Sequence, residues 1–180
     1  MGTATNFIPM TLKAPATPGS CVIVIDSGAN RRAYGPNPPT PNALWFTVYD
    51  RKTLAKVYDV SQTNADTVPS GLSDYLNSNY ILAVVSNLLG TDNVPQGNLY
   101  AMLNANGAGS QLARLEQINL QLSCGELGHV AYVLLTVPGT GNPGFEESAL
   151  NTVQGAIMTA QLLPTVLPDK STIYTPVEVE

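Results

Sequence analysis

The sequence predicts an α+β or mixed α/β domain built around one sheet system, with three short helices and an extended N-terminal arm. Three observations lead there. Short apolar runs of strand length recur along the chain. Three segments between them carry apolar residues at helical spacing. At 180 residues the chain fits one domain, a size that buries roughly 70% of the unfolded surface.

The elements follow in order. Residues 1–20 hold Pro9, Pro15 and Pro18 among scattered apolar side chains. Prolines at that density disfavour helix and central strand, so this stretch is expected as an extended arm lying on its own domain or on a neighbour. Cys21-Val22-Ile23-Val24-Ile25-Asp26 is continuous and β-branched, as buried strands are. Residues 27–41 are dense in Gly and Pro and read as a long loop. A second run, Ala43 to Asp50, meets a polar turn at Arg51-Lys52 and returns through Thr53–Val60 as a hairpin.

Residues 61–69 are polar loop. Ser70 is placed to cap a short helix through Leu72, Tyr75 and Leu76. Tyr80–Leu89 reads as a core strand. Leu99, Met102 and Leu103 mark the second helix, which Asn106-Gly107 stops. Ser110 is placed to cap the third, with Leu112, Leu115 and Ile118 as its stripe. A strand follows over His129–Val137. In the run from Gly155, strand and helix both fit, and Gly155 with Pro164 favours strand. The expected division is an arm over 1–20, a globular domain over 21–165 and a tail over 166–180.

Composition narrows the function. Charged residues make up 12% of the chain, about half the usual share, and Asn, Thr, Ser, Gly and Pro fill the deficit. From Tyr80 to Gly139 the only formal charges are Asp92, Arg114, Glu116 and Glu126. A net charge of −5 with eight Lys and Arg leaves no basic footprint for nucleic acid. No apolar run approaches the ~18 residues of a membrane-spanning helix, and the N-terminal residues lack the pattern of a secretory signal. Cys21 and Cys124 are the only cysteines; they fit either a pair of reduced core thiols or a bridge.

Motifs for catalysis are sparse. Residues 139–144, GTGNPG, match GxGxxG after a strand. A dinucleotide fingerprint must open a helix and present N–H groups, which Pro138 and Pro143 oppose, so a plain turn is expected. His129 is the single histidine, too few for a metal site of preferred ligands. No nucleophile elbow exists. Asp50, Asp59, Asp92, Glu126, Glu146 and Glu147 are the acids from which a glycosidase pair would be drawn, and no two stand out. Calcium would need more oxygen ligands than Thr91-Asp92-Asn93 supplies. No cofactor, metal or catalytic residue is therefore expected. Sugar sites use exposed aromatic faces beside amides. The candidate ligand-contacting residues are Tyr34, in the Pro-rich loop, and Trp45 and Tyr49, which share one strand face with core packing as the competing role.

The segments LWFTVYDRKTLAKVYDV, LSDYLNSNYILAVVS, LYAMLNANGAGSQLARLEQI and GHVAYVLLTVPG together resemble the interleukin-like EMT inducer / pancreatic-derived factor (ILEI-like) family. That domain is also found in the stem of a protein O-mannose N-acetylglucosaminyltransferase. The resemblance covers about residues 43–140 and lies in the order and character of elements. It implies a compact α+β globule of two twisted, mainly antiparallel sheets lined by short helices, and a non-enzymatic role in signalling or sugar binding. The family's vertebrate members carry a signal peptide and more cysteines. Leu127-Gly128 stands where the family has Arg-Asp before its last core strand.

These readings converge on a non-enzymatic binding or assembly module working outside the cell, extracellular or in a virion, as a phage tail or decoration protein does. Its expected partners are copies of itself or other structural subunits, with no nucleic acid and no membrane insertion. The alternative is a lectin-like module for neutral glycan, with a carbohydrate-active enzyme behind both.

Overall fold

A computed structural model of the chain describes residues 7–15, 21–28, 30–122, 128–150 and 155–178. It corrects the expected fold class. Among the described residues 46% lie in strands and 18% in helical segments, so the protein is mostly β. The described strands form two sheets, and the α-helices among the described residues number two where three short helices were expected. In chain order the strands are β1 (Ile8–Ala14), β2 (Val22–Asp26), β3 (Arg31–Tyr34), β4 (Ala43–Asp50), β5 (Lys56–Gln62), β6 (Tyr80–Asn87), β7 (Leu89–Gly90), β8 (His129–Thr136), β9 (Phe145–Ala149), β10 (Ala156–Val166) and β11 (Thr172–Val177). The α-helices are α1 (Gly97–Ala105) and α2 (Ser110–Leu122).

Every strand pairing is antiparallel. One sheet runs β11-β10-β1-β2-β3. The other runs β5-β4-β6-β8, with β7 and β9 also paired to β8. The first sheet is thus made from the two ends of the chain and the second from its middle.

The second sheet is buried on both faces. Trp45, Tyr49, Ile81, Val85 and Val133 point toward Met10, Leu12, Ile23 and Leu162 of the first sheet. Leu44, Phe46, Val48, Leu82 and Leu134, on the opposite face, meet Leu99 and Leu103 of α1 and Leu112 and Leu115 of α2. Alternate residues of β4, β6 and β8 therefore enter different cores, which is why these strands read as unbroken apolar runs. The order of layers is sheet, sheet, helices.

Residues 8–14, expected in an extended arm lying on its own domain or on a neighbour, form the middle strand of the first sheet. Met10, Leu12 and Ala14 are fully buried. Pro9 is tolerated because β2 pairs only with Met10–Lys13. At Pro9 the strand has β10 alone as a neighbour, and the missing N–H breaks no ladder. Pro164 uses the same device, since β1 pairs with β10 no further than Leu162. Pro176 lies on the edge strand β11. The expected tail over 166–180 likewise contains β11, and the expected loop over 27–41 contains β3.

The helix placed at residues 70–76 is a 3-10 turn, Leu72–Tyr75, preceded by Gly71 at φ 76 and without a side-chain cap from Ser70. The stop at Asn106-Gly107 is real: α1 ends at Ala105, and Gly107 has φ 105. A Cβ at Gly107 would lie 2.6 Å from the Thr136 hydroxyl, so glycine also permits the close approach of α1 to β8.

Leu12→Ala is expected to lower stability by about 3 kcal/mol, the cost of a core cavity, measured by urea denaturation. A change below about 0.5 kcal/mol would mean that β1 does not belong to the core.

Candidate functional site

The structure brings Tyr34, Trp45 and Tyr49 together, but as packing. Trp45 and Tyr49 share a strand face as expected, and that face is the one turned to the opposing sheet; both are fully buried. The Trp45 indole N–H donates to Asp59 Oδ1 at 2.6 Å. Asp59 also pairs with Lys56, and the Lys56 ammonium sits 4.9 Å from the Tyr34 ring centroid. Tyr34 is half-buried, tilted against Tyr49 at 5.7 Å between rings. Trp45 and Tyr49 offer no free face to a sugar, which corrects their assignment as ligand contacts, and Tyr34 is held by Lys56 and Tyr49.

The Tyr49 hydroxyl is buried without a hydrogen-bond partner among the described residues. Desolvation pushes its pKa up; Thr47 on the same strand face pulls the other way without reaching hydrogen-bond geometry. Burial likewise pushes the Cys21 thiol up to about 12. The thiol is free, donates to the Ser86 carbonyl at 3.2 Å and is an inert core group. Its possible bridge to Cys124 concerns a residue outside those described.

The acids have structural employment. Asp50 Oδ1 accepts from the Lys52 and Thr53 N–H groups and the Thr53 hydroxyl, closing the hairpin turn. Asp59 holds Trp45 and Lys56. Glu146 and Glu147 are neighbours on β9 and alternate between faces, and both border a cleft at the start of α2. Glu126 lies outside the described residues. His129 is exposed at the start of β8. Residues 139–144 lead into strand β9, with no helix to receive a phosphate. No group of three or more His, Cys, Asp or Glu among the described residues could hold a metal ion.

Glu146 has a role that sequence reasoning missed. Its Oε1 accepts from the Gly109 and Gln111 N–H groups at 2.9 and 2.8 Å. Its Oε2 accepts from Leu112 N–H at 3.3 Å and from the Tyr132 hydroxyl at 3.0 Å. The carboxylate caps α2 from a distant strand, in the place proposed for Ser110, and meets the positive end of the helix dipole. Burial and the Glu146 charge together push the Tyr132 phenol well above its usual range. Ser148 Oγ bonds Gln111 Oε1 at 2.7 Å, a second tie between β9 and α2. A separation of 35 residues between Glu146 and Gln111 leaves no local pattern to find.

A cleft of about 790 Å³ lies where the α1–α2 connection, the loop before β9 and the edge of β10 meet. Asn104, Ser110, Gln111, Asn142 and Thr159 line it with amides and hydroxyls, and Phe145 is its one ring. Glu146, Glu147 and Glu178 reach its wall, and no basic side chain among the described residues does. The chemistry suits a neutral hydroxylated ligand and disfavours an anion. The candidate ring, Phe145, escaped sequence reading because it stands alone between a glycine turn and two glutamates.

No protein-family model matches the chain, and no curated protein matches it.

Glu146→Ala is expected to destabilise the fold by about 2 kcal/mol, because it strands buried donors at a helix start. Glu147→Ala, one residue away and exposed, is expected to stay within about 0.5 kcal/mol. Thermal and urea unfolding of the two variants side by side measure the contrast.

Proposed function

We propose that the chain is a non-enzymatic assembly module working outside the cell, of the kind used in virion tails or decorations, and that its partner is a second copy of itself. The observation that carries this reading is the outward face of the five-stranded sheet. Sequence order places Thr11, Val22, Val24, Ile157, Thr159 and Leu163 there, opposite the residues that enter the core. No helix among the described residues covers this face, whereas the outer face of the other sheet carries two. Ile157 is 60% exposed, and a single exposed residue of this kind would mean little; a sheet face of β-branched side chains means more.

Charge supports the choice of partner. Lys13 and Asp26 are the only charged residues of β1, β2 and β10. Register puts Lys13 opposite Val22 and Asp26 beyond the other end of the shared ladder. A two-fold axis lying in the face and crossing the strands sets each Lys13 over the Asp26 of the copy, the self-complementarity that a closed dimer requires. The low overall charge and the resemblance of residues 43–140 to ILEI-like domains support a role without catalysis.

Light scattering after size exclusion should show dimers or larger assemblies, reduced to monomers by Ile157→Glu with the unfolding midpoint unchanged. Strictly monomeric native protein across the accessible concentration range would defeat the reading.

A second reading rests on the 790 Å³ cleft. Its amides, hydroxyls and single ring fit a lectin-like site for neutral glycan. Binding on a glycan array that disappears with Asn142→Ala would establish it; a blank array would remove it.

A further inference from the structure

Arg51 carries chemistry that the fold does not use up. The sequence places it in a polar turn beside Lys52, yet its side chain is turned inward and only 9% exposed. Nε donates to the Tyr174 carbonyl at 2.8 Å, Nη1 to the Ser78 carbonyl at 2.7 Å and Nη2 to the Thr175 hydroxyl at 2.5 Å. Its backbone completes the junction, with Arg51 N–H donating to the Asn79 carbonyl and Tyr174 N–H to the Arg51 carbonyl. These contacts staple β11 to the second sheet. A guanidinium has five N–H donors, and one on each terminal nitrogen is left over.

The charge itself has no counterpart. Lys56 and Asp59 form the sole ion pair among the described residues, so no described carboxylate stands within ion-pair reach of Arg51. Desolvation draws its pKa down, but a guanidinium remains a cation at any physiological pH. A buried cation satisfied only by neutral oxygens is a costly arrangement, and the deficit is an anion.

Arg51 is also part of the wall of a cavity of about 360 Å³, separate in character from the larger cleft though it shares the loop before β9. Val137, Pro143, Phe145 and Pro176 make this cavity mainly apolar, and Thr140 stands exposed at its rim. Arg51 is the only charged residue lining it. Small-molecule sites are built this way, with apolar walls and one group that fixes orientation.

We propose that this cavity binds a small monocarboxylic acid with a short apolar tail, its carboxylate paired with Arg51 and its tail against Val137, Phe145 and Pro176. A phosphate fits less well, because one cation and apolar walls leave its further oxygens unsolvated. A neutral sugar would leave the guanidinium as uncompensated as it is in the empty protein. The site is distinct from the sheet face of the assembly reading and does not depend on it.

Hexanoate tests the inference, with hexanamide as the uncharged match in shape. Titrated into the full chain and followed by calorimetry and by the thermal midpoint, hexanoate should bind one to one and raise the midpoint saturably. Hexanamide should bind at least roughly tenfold more weakly, the difference a charge-assisted pair supplies. Thr140→Trp, which fills the exposed rim and leaves Arg51 in place, should weaken hexanoate by a similar factor. Arg51→Gln should abolish the preference for the acid over the amide; because Arg51 also staples β11, Thr140→Trp decides alone if that variant does not fold. Equal binding of acid and amide, no saturable shift up to tens of millimolar, or undiminished binding by Thr140→Trp would each overturn the proposal.

Discussion

The structure depends on one constraint, that the middle sheet must be kept dry on both faces. β4, β6 and β8 carry large apolar side chains at consecutive positions, from Leu44 through Val48 and from Ile81 through Val85. Pairing satisfies their backbone groups, but no arrangement of a single layer hides both sets of side chains. Two covers are needed. The chain supplies helices from its middle and a second sheet from its two ends. The N-terminal strand β1 and the C-terminal strands β10 and β11 close that core as one paired unit. At roughly 25 cal/mol per Å² of apolar surface removed from water, the inter-sheet layer and the helix layer are both large terms, and neither is dispensable.

Polar groups inside this arrangement hold layers together. Glu146 links β9 to the start of α2 and reaches Tyr132 in the core. Arg51 links the β4–β5 turn to β11. Asp59 fixes the Trp45 indole between the sheets. The first two join segments far apart in the chain, the third joins the two strands of one hairpin, and each uses an ionised group where a neutral pair would bond less strongly. The difference among them is in compensation. Glu146 meets a helix dipole and a phenol, and Asp59 meets Lys56, whereas Arg51 meets neutral acceptors alone. That imbalance sets Arg51, the buried one of the three, apart from Glu146 and Asp59.

Much of the element pattern was legible in the chain. The hairpin around residues 43–60, the core strands at 80–87 and 129–136, the helices α1 and α2 and the stop at Asn106-Gly107 all follow from periodicity and turn chemistry. The first sheet was not legible at its ends. Pro9 argued against a central strand, and the argument fails because β1 is locally an edge at that one residue, a fact that depends on where β2 stops. The aromatic residues misled for a related reason. Alternation places Trp45 and Tyr49 on one face, but on a strand covered twice no pattern within the strand says whether that face meets water or a second sheet. Cap residues misled too, since Ser110 satisfies the local rule while Glu146, 36 positions later by number, has taken the site.

The amino-acid sequence alone determined which segments are strands and helices in the middle of the chain and that the chain is poor in charge, because these properties are local or additive along the chain. Only the tertiary structure decided that the two ends pair into a second sheet, that Trp45 and Tyr49 are interior, that Glu146 caps α2, and that Arg51 is buried beside a cavity without an acidic partner. Those facts are relations between residues tens to more than a hundred positions apart, set by how sheets and helices share the work of excluding water, and no window of sequence contains them.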